Sequence, residues 1–338
     1  MKLISYLHRN GKEQLAILVD DLVYNMQDLH KGLVGDMDSF LKHWAAQYPL
    51  ALQAYKHLAE QPDIKGIPLR DLRLLSPVTH PTSLRDGYAF RQHVESARRN
   101  RGAQMIAQFD EYPVFYFSNH QSVQGAGEIK CMPDHFQKLD FELECAIVVC
   151  RKGRNIKANE AADYIGGLMV MNDISARTLQ MEEMLLNLGP AKGKDFATIL
   201  GPWLVTTEEL KAYEVPCKPG HIGQSWNLAM TAKVNGNEVS RGNLSDMDWT
   251  FAELIERASY GVTLSPGDVI GSGTVGTGCF LELNGTGKLH DGNYKEQWLQ
   301  AGDTIELEIA ELGKLVNKIT AETIDHSILE NKKHAVKS

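Results

Sequence analysis

The chain has 338 residues, 43% of them hydrophobic and 23% charged, a composition that supports one large globular domain or a large one with a smaller companion. Its formal net charge of -8 argues against a general nucleic-acid binder, which needs clustered lysine and arginine to neutralise phosphate. No run approaches the roughly 20 apolar residues of a membrane span, and the opening MKLISYLHRNGKEQ is too short in apolar residues for a signal-peptide core, so no membrane partner and a cytoplasmic location are expected.

In chain order, alternation predicts short strands at 2–7 and 14–19, followed by a helical stretch near 38–60. Leu41, Trp44, Ala45, Leu52 and Tyr55 form its expected buried stripe. Pro62, Pro68, Pro77 and Pro81 then mark a linker, because proline interrupts helices and ladders alike. We place a domain boundary near 72, giving a small N-terminal β/α domain at 1–72 and a larger domain at 73–335. Asp86 to His93 reads as helical, two turns long, with both residues on one face. A lone histidine is usually structural, but one near an aspartate on a site-facing helix is a candidate base. Arg98-Arg99-Asn100-Arg101 reads as a solvated helix end.

The most informative stretch is Leu139-Asp140-Phe141-Glu142-Leu143-Glu144-Cys145-Ala146-Ile147. On a strand, Asp140, Glu142 and Glu144 share one face. Two such charges some 6–7 Å apart repel by roughly 2–3 kcal/mol at an effective dielectric near 20, so a partly buried row needs compensation, which a divalent cation supplies. The alternative is an exposed, solvated strand face. The apolar continuation into Ile147, Val148 and Val149 favours a central strand.

Next, Met169-Val170-Met171-Asn172-Asp173 runs as an apolar strand into residues that commonly cap a helix, which would carry Arg177 and Gln180 at i+4 and i+7 from Asp173. The alternative there is a capping aspartate with a surface salt bridge to Arg177. The loop Leu188 to Thr198 is punctuated by glycine and carries Lys194, but lacks the spacing of a phosphate-binding P-loop. Trp226–Val234 reads as a strand, and Asn235-Gly236 after it signals a hairpin turn. Gly267-Asp268 and Gly302-Asp303 are turns leading into strands. Gly271-Ser-Gly-Thr274-Val-Gly276-Thr-Gly278 suggests a nucleotide loop, an idea we reject because Cys279–Leu283 reads as more strand rather than as the required helix. Few βαβ alternations occur, so a mixed α+β architecture is expected. Cys131, Cys145, Cys150, Cys217 and Cys279 contain no CxxC pair and no zinc spacing, and read as reduced thiols.

Taken together, the RQH helix, the DxExE strand, the MNDxSAR segment, the LGPxxGKxF loop and the GSGT…LE run resemble, in order and internal spacing, the fumarylacetoacetase family, specifically its bacterial-type members. The resemblance spans residues 86 to 282. It implies a β-roll or sandwich of mixed sheets behind a small N-terminal domain. It places metal ligands on Asp86, Glu142, Glu144 and Asp173, an all-oxygen set suited to Mg²⁺, Ca²⁺ or Mn²⁺ rather than zinc. It assigns the base to His93 and its orienter to Glu282, and oxyanion stabilisation to Arg177, Gln180 and Lys194. Tyr88, Tyr116, Gln180 and Thr274 match substrate positions, and Lys194 and Thr198 match a second cation.

Two departures touch substrate recognition: Met184 stands where the tyrosine-breakdown enzyme of the family carries a tyrosine, and Arg101 aligns only approximately with the family's lid arginine. The implied activity is metal-dependent hydrolysis of a carbon–carbon bond in fumarylacetoacetate or an acylpyruvate, in tyrosine or aromatic catabolism, by a homodimer. A decarboxylase, isomerase or hydratase on the same metal platform is the alternative among enzymes. A non-enzymatic binding module is disfavoured, since it has no use for a base, its orienter and three oxyanion donors.

Overall fold

The computed structural model describes residues 1–58 and 63–333; Pro62, the end of the expected 38–60 helix and the last residues of the 73–335 span lie outside them. Strands β1 (Lys2–Leu7), β2 (Glu13–Val19) and β3 (Leu22–Asn25) form an antiparallel meander. The expected single helix is two, α1 (Met37–Lys42) and α2 (Trp44–Lys56), because His43 leaves the helical region between them. That break shifts the buried stripe. Ala51 and Ala54 go inward with Leu41, whereas Ala45 is exposed.

Strand β4 (Ser83–Gly87) carries Asp86, so the segment from Asp86 to His93 is not one helix. It is a strand, a turn and helix α3 (Arg91–Arg99). Strands β5 (Phe115–Ser118), β6 (Gly127–Cys131), β7 (Leu143–Val149) and β8 (Ile165–Asp173) follow. Asp173 therefore ends a strand rather than capping a helix, and α4 (Arg177–Met184) starts only after Ala176. Beyond it come β9 (Thr198–Val205), then β10 (Ala229–Val234) and β11 (Asn237–Asn243). These last two are joined by Asn235 and Gly236, both at positive φ as the hairpin signal requires. Helix α5 (Phe251–Ser259), strand β12 (Asp268–Gly271) and helix α6 (Phe280–His290) precede the final hairpin of β13 (Thr304–Ile309) and β14 (Gly313–Ala321).

Residues 280–290 are thus helical, not strand. A short apolar run does not distinguish the two, and the helix owes its start to a cap from a distant residue described below. The structural ground for rejecting a nucleotide loop falls with it, although the conclusion stands on that same cap.

The largest sheet has twelve strands, with the order β3-β2-β1-β9-β8-β7-β12-β4-β5 along its main path. Pairing is antiparallel throughout that path except between β12 and β4. Strand β7 is central, as its apolar continuation implied. A five-stranded sheet, β11-β10-β13-β14-β6, covers one face of the large sheet, and the mixed α+β architecture is as expected. The core is split accordingly. Leu143, Cys145, Ile147 and Val149 face the core shared with the five-stranded sheet, while Ala146 and Val148 face the core under α1 and α2. Among the described residues no helix is long and apolar enough to cross a membrane.

Candidate active site

The alternation that buries Ala146 and Val148 puts Glu144 on the same face, at the other end of β7. In the same way Met169 and Met171 lead to Asp173 on β8, and Leu84 leads to Asp86 on β4. Glu142, just before β7, completes the group. Carboxylate oxygens of Asp86, Glu142, Glu144 and Asp173 lie within 4.8 Å of one another, all buried. Close approach of β4 to β12 needs Gly271, where a Cβ would stand 2.4 Å from Asp86 Oδ1.

Asp140 is not part of the group, contrary to the expected row of three carboxylates. The chain leaves strand geometry at Phe141 and Glu142, and Asp140 pairs instead in a short ladder with Ser175. Its carboxylate accepts from the Phe280 and Leu281 amides at 2.7 and 2.9 Å and so caps α6. It occupies the place a phosphate would take at that helix end. Arg177 Nε donates to it at 2.9 Å.

Two buried cations serve the carboxylates. Arg177 Nη2 donates to Glu142 Oε1 at 2.7 Å, and its Nη1 holds Gln180 Oε1 at 2.9 Å. The alternative of a surface salt bridge between Asp173 and Arg177 is therefore excluded, since Arg177 is buried and turned to other partners. Lys194 Nζ bridges Glu142 Oε2 and Asp173 Oδ2, the latter at 2.5 Å. The loop brings it there because Gly193 lies against the backbone of Gln180, where a Cβ would come within 2.6 Å. Tyr116 OH also donates to Asp173 Oδ2, at 2.6 Å, Thr274 Oγ1 to Glu144 Oε1, at 3.2 Å, and the Gly273 amide to Asp86 Oδ1, at 3.1 Å.

Two cations among so many buried acids leave a deficit. Burial, and then the charge of Asp173, push Asp86 up to about 7. Glu144 is driven well above the usual range by burial and the neighbouring Asp86 and Glu142, and Asp173 rises to about 6 through burial despite Lys194. Burial also raises Glu142, but Lys194 and Arg177 together overcome it and hold that carboxylate below its usual value. Among the described residues Glu144 Oε2 and Asp173 Oδ1 are buried with no hydrogen-bond partner. Four converging carboxylates with orphaned oxygens and no sulfur or imidazole fit a hard divalent cation.

Beside the group, His93 Nδ1 meets Glu282 Oε2 at 2.8 Å, joining residues 189 positions apart. Helices α3 and α6 pack to allow it, tied by Asn100 Nδ2 donating to the Glu282 carbonyl at 3.0 Å. The Thr277 amide fixes the same carboxylate oxygen at 2.9 Å. A carboxylate on Nδ1 selects the tautomer with its proton there and leaves Nε2 basic.

A cavity of about 300 Å³ collects these groups: Asp86, Tyr88, His93, Tyr116, Glu142, Arg177, Gln180, Lys194 and Thr274 all line it. Glu144, Asp173 and Glu282 stand behind this lining. Thr198 does not line it. It pairs with Asp173 across β8 and β9, and its buried Oγ1 has no hydrogen-bond partner among the described residues. Lys194 belongs to the main carboxylate group. Arg101 and Met184, the two departures, both sit in the cavity wall. Sequence reasoning missed the cap made by Asp140 and the apolar wall of Val114, Phe115, Met181 and Leu281. It also missed Cys279, whose sulfur neighbours His93 and Glu282 and whose thiol is driven well up by burial and the Asp140 charge.

Residues 82–320 match the model of the fumarylacetoacetate (FAA) hydrolase C-terminal family. The chain is 30% identical over 305 residues to oxaloacetate tautomerase FAHD2A, mitochondrial, of Homo sapiens, covering 88% of this chain and 83% of that one. It is 32% identical over 217 residues to maleylpyruvate hydrolase of Aquipseudomonas alcaligenes, covering 63% and 69%. The crystal structure of maleylpyruvate hydrolase from Sphingobium sp. SYK-6 superposes with a TM-score of 0.66 at 18% identity, over 95% of this chain and all of that one.

Proposed function

The chain belongs to the fumarylacetoacetate hydrolase family, whose members are enzymes, and from that premise we propose that it hydrolyses a carbon–carbon bond of an acylpyruvate or a related β-diketo acid. The observation that carries this reading is the buried His93–Glu282 pair, whose His93 lines the same cavity as Asp86 and Glu142 of the carboxylate group. Asp86, Glu142, Glu144 and Asp173 would hold the cation. A hard divalent cation held there would supply Lewis-acid polarisation of a 2-oxo acid's carbonyls.

The residues of the chain do the rest. His93 Nε2 takes a proton from a water molecule, and Glu282 stabilises the imidazolium that results. The hydroxide adds to the carbonyl carbon remote from the carboxylate. Arg177, Lys194 and Gln180, which line the cavity, would stabilise the oxygen that gains charge. The carbon–carbon bond then breaks, its electron pair leaving with the 2-oxo acid fragment, which takes the proton back from His93. A carboxylic acid and a 2-oxo acid are the products.

A second reading follows from the human relative, named an oxaloacetate tautomerase. The same base would move a proton between carbon and oxygen with no water consumed. The deciding experiment follows ultraviolet absorbance of acetylpyruvate, fumarylpyruvate and enol-oxaloacetate with Mg²⁺, with Ca²⁺ and with chelator. Expected are cation-dependent cleavage of an acylpyruvate and a ~10³-fold fall in kcat for His93→Ala. Accelerated ketonisation of oxaloacetate with no cleaved acylpyruvate would replace the hydrolase by the tautomerase.

A further inference from the structure

Helix α4 carries Arg177 and Gln180 into the cavity wall, and Glu183 follows at the same spacing without lining it. Residues three apart are neighbours along a helix surface, so each of the three lies beside the next. The Glu183 carboxylate accepts three successive amides of the glycine-punctuated loop: Ala191 at 2.8 Å and Gly193 at 3.2 Å on Oε2, and Lys192 at 2.7 Å on Oε1. Successive backbone N–H groups aimed at one place form a concave anion nest, and here the anion is a side chain of the protein itself. The loop turns tightly at this point, with the Lys194 and Asp195 amides both returning to the Ala191 carbonyl, at 3.0 and 2.9 Å. Glu183 thus satisfies the amides that such a turn leaves open at its start, as an N-cap does for its own helix, although it comes from a different one.

The turn carries Lys194. Glu142 takes one bond from each buried cation, Oε1 from Arg177 on the helix and Oε2 from Lys194 on the loop, so helix and loop must be held in register for both to reach it. A lysine is a point charge on a flexible stem, and its aim depends on the backbone that carries it. We propose that Glu183 is a positioning residue, which fixes the turn at 191–193 against α4 and thereby sets Lys194 relative to Arg177 in the cavity. The loop has further ties, the Gly193 carbonyl to the Ala176 amide at 2.8 Å and the Asp195 carbonyl to Asn119 Nδ2 at 3.1 Å, so loss of Glu183 loosens the turn without unfolding the loop. The kinetic consequence rests on the role given to Lys194 in the hydrolase reading, whereas the consequence for cation binding does not.

The test is a double-mutant cycle on Glu183→Ala and Lys194→Met in the Mg²⁺-loaded protein. Glu183→Ala is expected to lower kcat for an acylpyruvate about tenfold with KM little changed, because a misplaced donor is felt in the transition state. Once Lys194 is already methionine, the same change should cost less than about twofold more, since two residues acting through one group are not additive. Glu183→Gln, which keeps one accepting oxygen, should fall between Glu183→Ala and the native protein, and it takes the place of the alanine variant in the cycle if that one does not fold. Calorimetry follows Mg²⁺ binding in the same proteins. An ammonium no longer held on Glu142 and Asp173 repels the cation less, so either single substitution should tighten Mg²⁺ binding, by about threefold for Glu183→Ala, and the second should add little to the first. If no acylpyruvate is cleaved while the calorimetric cycle closes in this way, only the hydrolase reading fails. Equal losses with and without Lys194, which mark a merely structural role, or a Glu183→Ala protein that turns over and binds Mg²⁺ like the native one, overturn the positioning role and leave the hydrolase standing.

Discussion

One face of strands β4, β7 and β8 carries two opposite environments. At one end Leu84, Ala146, Val148 and Met169 are buried in the core beneath α1 and α2. A few residues along the same strands Asp86, Glu144 and Asp173 are buried to the same degree, yet charged or protonated. The backbone and its alternation are common to both ends. What differs is the neighbourhood: the apolar end is packed by hydrophobic side chains, whereas the acidic end has Lys194, Arg177, Tyr116 and Thr274 within hydrogen-bond distance. A sheet face of this kind holds buried acids only where other elements bring compensating groups, here a loop and the start of a helix.

Exchanging the two environments at one position should break the fold. Val148→Asp buries a carboxylate among hydrophobic side chains, and we expect a loss of about 4–5 kcal/mol or more, enough to prevent a cooperative unfolding transition. Retention of a denaturant midpoint near that of the native protein would show that the apolar end tolerates charge and that the comparison is wrong. A smaller effect is expected from removing compensation at the acidic end. Lys194→Met leaves Glu142 and Asp173 without their shared ammonium, and the chelator-treated protein should lose about 3 kcal/mol. Millimolar Mg²⁺ should restore part of it, since the cation takes over the neutralisation. An unchanged midpoint with chelator would mean that the acids rest protonated and that Lys194 adds nothing to stability.

The acidic end was only partly legible in the sequence. Alternation correctly aligned Glu142 with Glu144 and failed at Asp140, because strand geometry begins at Leu143 and local pattern does not reveal where a ladder stops. Asp140 found its partners in two amides 140 and 141 residues away. Helix α6 was unreadable for the reciprocal reason: its glycine-punctuated sequence has little helical signature, and the cap that starts it comes from elsewhere in the chain. The segment from Asp86 to His93 imitated a helix because a buried strand followed by a helix leaves no clear period. The meeting of His93 with Glu282 followed from the family resemblance alone, since no local pattern dictates that α3 packs on α6.

The smallest expected effect separates the two ends by pH. In the cation-free protein Asp86 is raised from an ordinary 3.8 to about 7, and Asp173 to about 6, chiefly by burial. A carboxyl raised in this way binds its proton more tightly in the folded than in the unfolded state. Its contribution to stability is fully present below about pH 4 and is lost as pH rises through about 6 to 7. The apolar end has no such group, so it contributes no slope. With chelator present, the unfolding free energy should therefore fall between about pH 4 and pH 7, by at least about 2 kcal/mol. A bound divalent cation favours the ionised carboxylates and displaces those protons, so with millimolar Mg²⁺ the slope should flatten or reverse, and the apparent affinity for the cation should rise over the same interval. Denaturant titrations at several pH values, with and without Mg²⁺, measure both. A chelator-treated protein whose stability stays level or climbs across that interval would show that Lys194 and Arg177 already keep Asp86 and Asp173 ionised, and the deficit of positive charge that argues for a cation would be gone.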